Sequence, residues 1–267
     1  MRPVTICDVG PRDGLQNQPV TLEPGVRAEL VDRLAATGIP RIEAVSFVNP
    51  KLVPQMADAE EVVAALSRRE GVVVAGLALN ERGYDRLHDS GLDEVHFALA
   101  ATDEFNRRNA GATVEEGIAA GERIVERAIV DGIRSTVTIG VAFGCPFEGA
   151  VDPGRVAELA ARFAAAGTDE IVVADTVGVG VPRQARDLVE GSCRSDCRSA
   201  STCTTPATTA SRTRTPPSRP APPSSTPPSA ASAAARSLPG RRATSRPRIW
   251  CTSSTARASR PESISAR

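Results

Sequence analysis

Six times within the first 190 residues, a short β-branched run is followed by an amphipathic stretch, and then the alternation stops. A strand followed by a crossover helix returns the chain parallel to where it began. Serial repetition therefore builds a parallel sheet with helices on its outside. The strand segments are Val4–Asp8, Ile42–Phe47, Val72–Leu79, Glu94–Leu99, Arg134–Val141 and Glu170–Ala174. Helices are predicted over Pro24–Thr37, Asp58–Ser67, Glu81–Ser90, Val114–Val130 and Pro153–Ala166, and a last one starts near Pro182. In the first helix Val26, Leu30, Val31 and Leu34 recur near helical spacing, and Gly38 is the stop. Each unit takes about 30 residues, and an eight-unit barrel takes about 250. Residues 1–190 thus supply six units, and two are wanting.

The remaining residues, 191–267, have the length of those two units but not their pattern. After Val189 there is no Val, Phe, Tyr, Lys, Asn, Gln or His, and Leu occurs once, at Leu238. Up to Glu190 the chain carries 30 acidic and 19 basic residues; from Gly191 it carries 2 acidic and 13 basic. A net charge of zero therefore hides two unlike segments. Such a Pro-, Ser-, Thr-, Ala- and Arg-rich stretch buries too little apolar area to offset its ordering entropy. A disordered, low-complexity basic tail without regular barrel strands is expected. The edges of the first and sixth strands would then be unpaired, and poor stability would follow.

Several classes fall away. No apolar run is long enough to span a bilayer, so no membrane partner is expected. Charges at Arg2, Asp8, Arg12 and Asp13 leave no secretory apolar region, and the cytoplasm is the expected compartment. Six cysteines do not imply disulfides there. A nucleic-acid role for the tail would rest on thirteen arginines with one aromatic, Trp250, for stacking; no nucleic-acid partner is expected.

The first strand runs into Asp8-Val-Gly-Pro-Arg-Asp-Gly-Leu-Gln-Asn17. At a barrel strand's C-terminal end, where such folds build active sites, Asp13 offers a hard oxygen and Arg12 a donor for a carboxylate or an enolate oxygen. By itself the pair also reads as a loop salt bridge. Further motifs are Ile42–Asp58, Phe105-Asn-Arg-Arg-Asn109, Gly144-Cys-Pro-Phe-Glu-Gly149 and Ala174-Asp-Thr-Val-Gly-Val-Gly180. Together, and in this order, they resemble the 3-hydroxy-3-methylglutaryl-CoA lyase family over essentially all of residues 1–190. Asn49 and Leu52 are departures, where the family would have Ser and often Trp.

The resemblance implies a (β/α)8 TIM barrel and a retro-Claisen cleavage of an acyl-CoA to acetyl-CoA and acetoacetate, as in leucine degradation and ketone-body metabolism. It implies a divalent cofactor, Mg²⁺ or Mn²⁺, with Asp13 as a metal ligand. Arg12 would stabilise the enolate and bind substrate. Glu43 and Asp175 would line the pocket at the ends of strands two and six as catalytic residues, and Gln16 would support the first turn and the substrate. The partner implied is a small-molecule acyl-CoA, and a homodimer is one expectation for assembly. Cys7 is assigned to the core, and Cys145 is not read as a nucleophile. His88 and His96 lie far from any partner motif and are assigned structural roles. The alternatives are a related Claisen-condensing synthase and an inactive remnant.

The family also needs a His-x-His on strand seven, an Asn beyond it and a Cys in a Gly-rich loop. None stands in the tail: no His follows His96 and no Asn follows Asn109. With free choice of synonymous codons, taking the third base of each codon with the first two of the next turns residues 201–206 into His-Leu-His-Asp-Thr. In the same frame residues 229–254 yield a Gly-rich Cys loop and then an Asn. The tail is therefore expected to be an out-of-frame translation of the same gene from about residue 191.

Overall fold

The computed structural model describes residues 5–67, 70–192, 200–204 and 251–254. Strands β1 (Thr5–Asp8), β2 (Arg41–Ser46), β3 (Val73–Leu77), β4 (Glu94–Ala100), β5 (Arg134–Gly140) and β6 (Glu170–Ala174) form the expected series. They alternate with helices α1 (Pro24–Ala36), α2 (Ala59–Ala65), α3 (Glu81–Ser90), α4 (Asp103–Ala110), α5 (Val114–Asp131), α6 (Pro153–Ala166) and α7 (Pro182–Ser192). Consecutive strands pair in parallel from β1 to β6. Helix α4 is additional to the sequence expectation; its few apolar positions give no periodic signal, and the Phe105–Asn109 motif lies on it.

Two strands correct the expectation of a strandless tail. Strand β7 (Ala200–Thr204) runs parallel to β6, and β8 (Cys251–Ser254) runs antiparallel to β1. The edges of β1 and β6 are therefore paired. Ala-Ser-Thr-Cys-Thr and Cys-Thr-Ser-Ser lack an apolar signature, but a strand added to an open edge needs only backbone donors and acceptors. The expected disorder of the remaining tail lies outside the described residues.

The sheet curls. Strands β2 and β6 are four places apart in the sheet order, about 19 Å if it were flat. Yet Arg41 Nη1 on β2 lies 2.8 Å from Glu170 Oε2 on β6. An arginine cannot bridge a flat sheet of that width, so the six strands wrap around a shared interior. Alternation decides what faces it. On β4, Glu94 and His96 point inward, while Phe97 points out to Phe163 of α6 at 6.1 Å between ring centroids. Helix α5 closes on that layer through Gly121, where a Cβ would come within 2.5 Å of the Phe97 ring. The apolar core thus lies between sheet and helices, with Ile42, Val95, Ile124 and Phe163 fully buried in it. The inner face carries the ion pairs of Arg41, Glu43, Glu94, His96 and Glu170 beside Ala98, Thr136 and Val172.

Candidate active site

A cavity of about 720 Å³ opens at the C-terminal ends of the strands. A second, of about 100 Å³, is lined mainly by apolar side chains of α1, α2 and β3 and carries no chemistry. The large cavity is lined by Arg12, Asp13, Gln16, Glu43 and His96, with α4 supplying Phe105, Arg107, Arg108 and Asn109 at its rim.

The turn after β1 is wound tightly. Asp13 N–H donates to Val9 O at 2.7 Å, and Gly10 N–H to Asp8 Oδ1 at 2.8 Å. This turns Arg12 and Asp13 onto the cavity floor, both nearly buried. Arg12 Nη1 meets Asp13 Oδ1 at 3.0 Å, and Arg12 Nε donates to Glu43 Oε1 in a very short contact. Glu43 sits in the middle of β2 rather than at its end. The β2–β3 register shifts just after it, between Glu43 and Val45, and such a bulge re-aims side chains. Four of the sequence-predicted residues, Arg12, Asp13, Gln16 and Glu43, thus share one cavity.

Asp175 does not join them. It is buried at the end of β6, and backbone N–H groups take up its carboxylate: Gly178 and Val179 donate to Oδ1 at 2.9 and 3.1 Å, Gly180 to Oδ2 at 2.7 Å. Its neighbour Thr176 lines the cavity instead and accepts from Val141 N–H at 2.8 Å. That bond helps hold Val141 at φ 49°, a left-handed conformation unusual for a β-branched residue. Cys145 is buried and accepts from Thr102 Oγ1 at 3.1 Å, as a packed thiol does; Cys7 is core.

His96 is the site residue that sequence distance concealed. Fifty-three residues separate it from Glu43, yet Nδ1 lies 2.8 Å from Glu43 Oε2. Its Nε2 lies 3.4 Å from Glu94 Oε1, an ion-pair distance. Alternation along β4 was the available signal, since Glu94 and His96 share its inner face. His88, by contrast, is half-exposed on α3. Burial opposes charge on all of these groups, but their partners prevail. Glu43 is lowered to about 2 by Arg12 and His96, Glu94 is also lowered to about 2, chiefly by His96, and His96 is raised to about 9 by the two carboxylates. Arg12, between Glu43 and Asp13, is held still more firmly cationic.

Among the described residues no three His, Cys, Asp or Glu side chains converge as a metal site. Glu43 is engaged by Arg12 and His96, and Asp13 by Arg12. The described residues do not by themselves fit a divalent cation. Among them, too, no helix is long and apolar enough to cross a membrane.

The site is thus an arginine held by two carboxylates at the mouth of a curled parallel sheet. The HMGL-like family profile matches residues 3–200. The chain belongs to the HMGL-like family. One HMGL-like relative is the (R)-citramalyl-CoA lyase of Chloroflexus aurantiacus, 44% identical over 198 residues that cover 70% of this chain and 62% of that protein. The crystal structure of an HMG-CoA lyase from Brucella melitensis superposes with a TM-score of 0.74 at 30% identity, covering 78% of this chain and 74% of that one. An HMG-CoA lyase from Acenitobacter baumannii, solved with coenzyme A and 3-methylmalate, gives 0.68 at 32% identity, with 70% and 61% covered. The chain spans about three-fifths of the length of the curated HMGL-like relatives it matches.

Proposed function

We propose that this chain descends from, and with its frame restored acts as, a carbon–carbon lyase that splits hydroxymethylglutaryl-CoA into acetyl-CoA and acetoacetate. The observation that carries the reading is Arg12, fixed between Asp13 and Glu43 on the floor of a large cavity in an HMGL-like barrel. In a retro-Claisen cleavage the 3-hydroxyl loses its proton and the C2–C3 bond breaks. The ketone leaves, and the electron pair becomes the enolate of the CoA thioester, which then takes up a proton. Arg12 is cationic throughout and suits the enolate oxygen. Glu43 is too acidic to be an effective base near neutral pH; its part is to hold Arg12. Gln16 Oε1 is buried with no hydrogen-bond partner among the described residues, which suits a polar substrate group. Asp175 acts at one remove, by tying the turn that carries Thr176 to the cavity. Arg107 and Arg108 at the rim, paired on α4 with Asp103 and Glu104, would exchange those partners for the phosphates of an acyl-CoA.

The resemblance calls for Mg²⁺ or Mn²⁺ at Asp13, and the other ligands it calls for are those of the out-of-frame reading. That β7 pairs with β6 from Ala200 to Thr204 supports this, because residues 201–206 are the ones whose shifted reading gives His-Leu-His. The chain as written is then impaired. The experiment expresses the chain as written and a version corrected by one base near codon 191, and assays acetoacetate release with added Mg²⁺. The corrected version is expected to exceed the other by several orders of magnitude, since catalytic parts that act as a unit fail together. Equal activity in both removes the frame argument, and activity in neither removes the lyase reading. Citramalyl-CoA is the second substrate to assay, given the 44% identity to a lyase of that name.

A further inference from the structure

A line of alternating charges crosses the barrel interior. It runs from Arg12 to Glu43, from Glu43 to His96 at 2.8 Å, and from His96 to Glu94 at 3.4 Å. Glu94 Oε2 meets Arg41 Nε at 3.2 Å. Arg41 and Arg134 then share Glu170 Oε2, at 2.8 and 2.9 Å. The line joins four strands and the turn after β1, and its upper end is the cavity.

His96 is its one titratable cation. The line holds Arg12, Arg41 and Arg134 against Glu43, Glu94 and Glu170, Asp13 adds a fourth carboxylate beside Arg12, and a protonated His96 supplies a fourth cation. A neutral His96 would leave two buried carboxylates facing each other across one ring, which low dielectric penalises. The geometry also divides Glu43 between partners: Oε1 accepts from Arg12 and Oε2 meets His96 Nδ1. With both oxygens held, the carboxylate cannot rotate, and the Arg12 guanidinium inherits its orientation.

We propose that His96, as an imidazolium hydrogen-bonded to Glu43 and ion-paired with Glu94, is a positioning residue that fixes Glu43 and through it aims Arg12 into the cavity. Its consequence for ligand binding rests on reading that cavity as the acyl-CoA site. The raised pKa of His96, about 9, agrees with the clamp.

The chain has two histidines, and the other, His88, is half-exposed. Nitrogen-15 labelling of histidine therefore gives two rings to tell apart, assigned by His88→Gln. Nuclear magnetic resonance of the full chain at pH 7.5 should find His96 doubly protonated, with a low-field Nδ1 proton. A neutral His96 overturns the proposal and needs no variant to fold. The Arg12 Nε proton, assigned by its loss in Arg12→Lys, should be low-field and slow to exchange. In His96→Gln it should exchange at least about tenfold faster, the factor expected from weakening one hydrogen bond to a charged group. His96→Lys, which restores a cation facing Glu43, should recover part of the protection. An unchanged Arg12 signal in a folded His96→Gln overturns the proposal. Calorimetry with hydroxymethylglutaryl-CoA separates the two readings: a clamped His96 and a protected Arg12 without binding sink the acyl-CoA reading and leave the clamp standing.

Discussion

Asp175 is a motif residue whose carboxylate is taken up by its own loop rather than by the cavity. Three backbone N–H groups from Gly178 to Gly180 converge on its two oxygens. Replacing it by Asn keeps one acceptor and sets an amide NH₂ against donors. Asp175→Asn should therefore destabilise the protein by about 1–3 kcal/mol, the cost of leaving buried donors unsatisfied, read as a lower urea midpoint at unchanged slope. An unchanged midpoint would mean that water substitutes freely there. Arg12, Asp13 and Glu43 were legible because each stands in a motif at a strand or its following turn. His96 was not, because no neighbour in sequence announces it; its partners come from two strands, and only the inward alternation of β4 joins them.

Among elements, the six strands of the repeating part and most of their helices were legible, because period-two and helical patterns are strong over such lengths. Helix α4 escaped for want of apolar positions. It is held by Asn106, whose Nδ2 donates to Ala112 O and Thr113 O at 3.0 and 2.9 Å. The adjoining start of α5 carries a reciprocal cap in which Thr113 Oγ1 accepts from Glu116 N–H and Glu116 Oε2 accepts from Thr113 N–H. Thr113→Ala removes the first of these and should cost about 1 kcal/mol, seen as a lower melting temperature; no shift would assign the cap's role to packing of α4. Strands β7 and β8 were invisible in the sequence because their pairing is by backbone, to which a Ser- and Thr-rich composition gives no clue.

For the molecule as a whole, the interior charges set a window of pH. Glu43 and Glu94 titrate near 2 when folded, below the ordinary 4.5, so their contribution is complete above about pH 4.5 and lost as pH falls through about 2. His96 titrates near 9 when folded, above the ordinary 6.5, so its contribution is complete below about pH 6.5 and lost as pH rises through about 9. Urea midpoints should be highest between about pH 4.5 and 6.5 and decline on both sides, and His96→Gln should flatten the alkaline limb. A midpoint constant from pH 6.5 to 9 would contradict this. The curl brings Arg41 to Glu170 across the interior. Most barrels of this kind are plugged at the centre with branched aliphatic side chains, and a breach in their wall would bare oil. Here the greasy layer lies outside the staves, under the helices, and a row of ions crosses the bore. A gap between staves would admit water to groups that welcome it rather than bare oil.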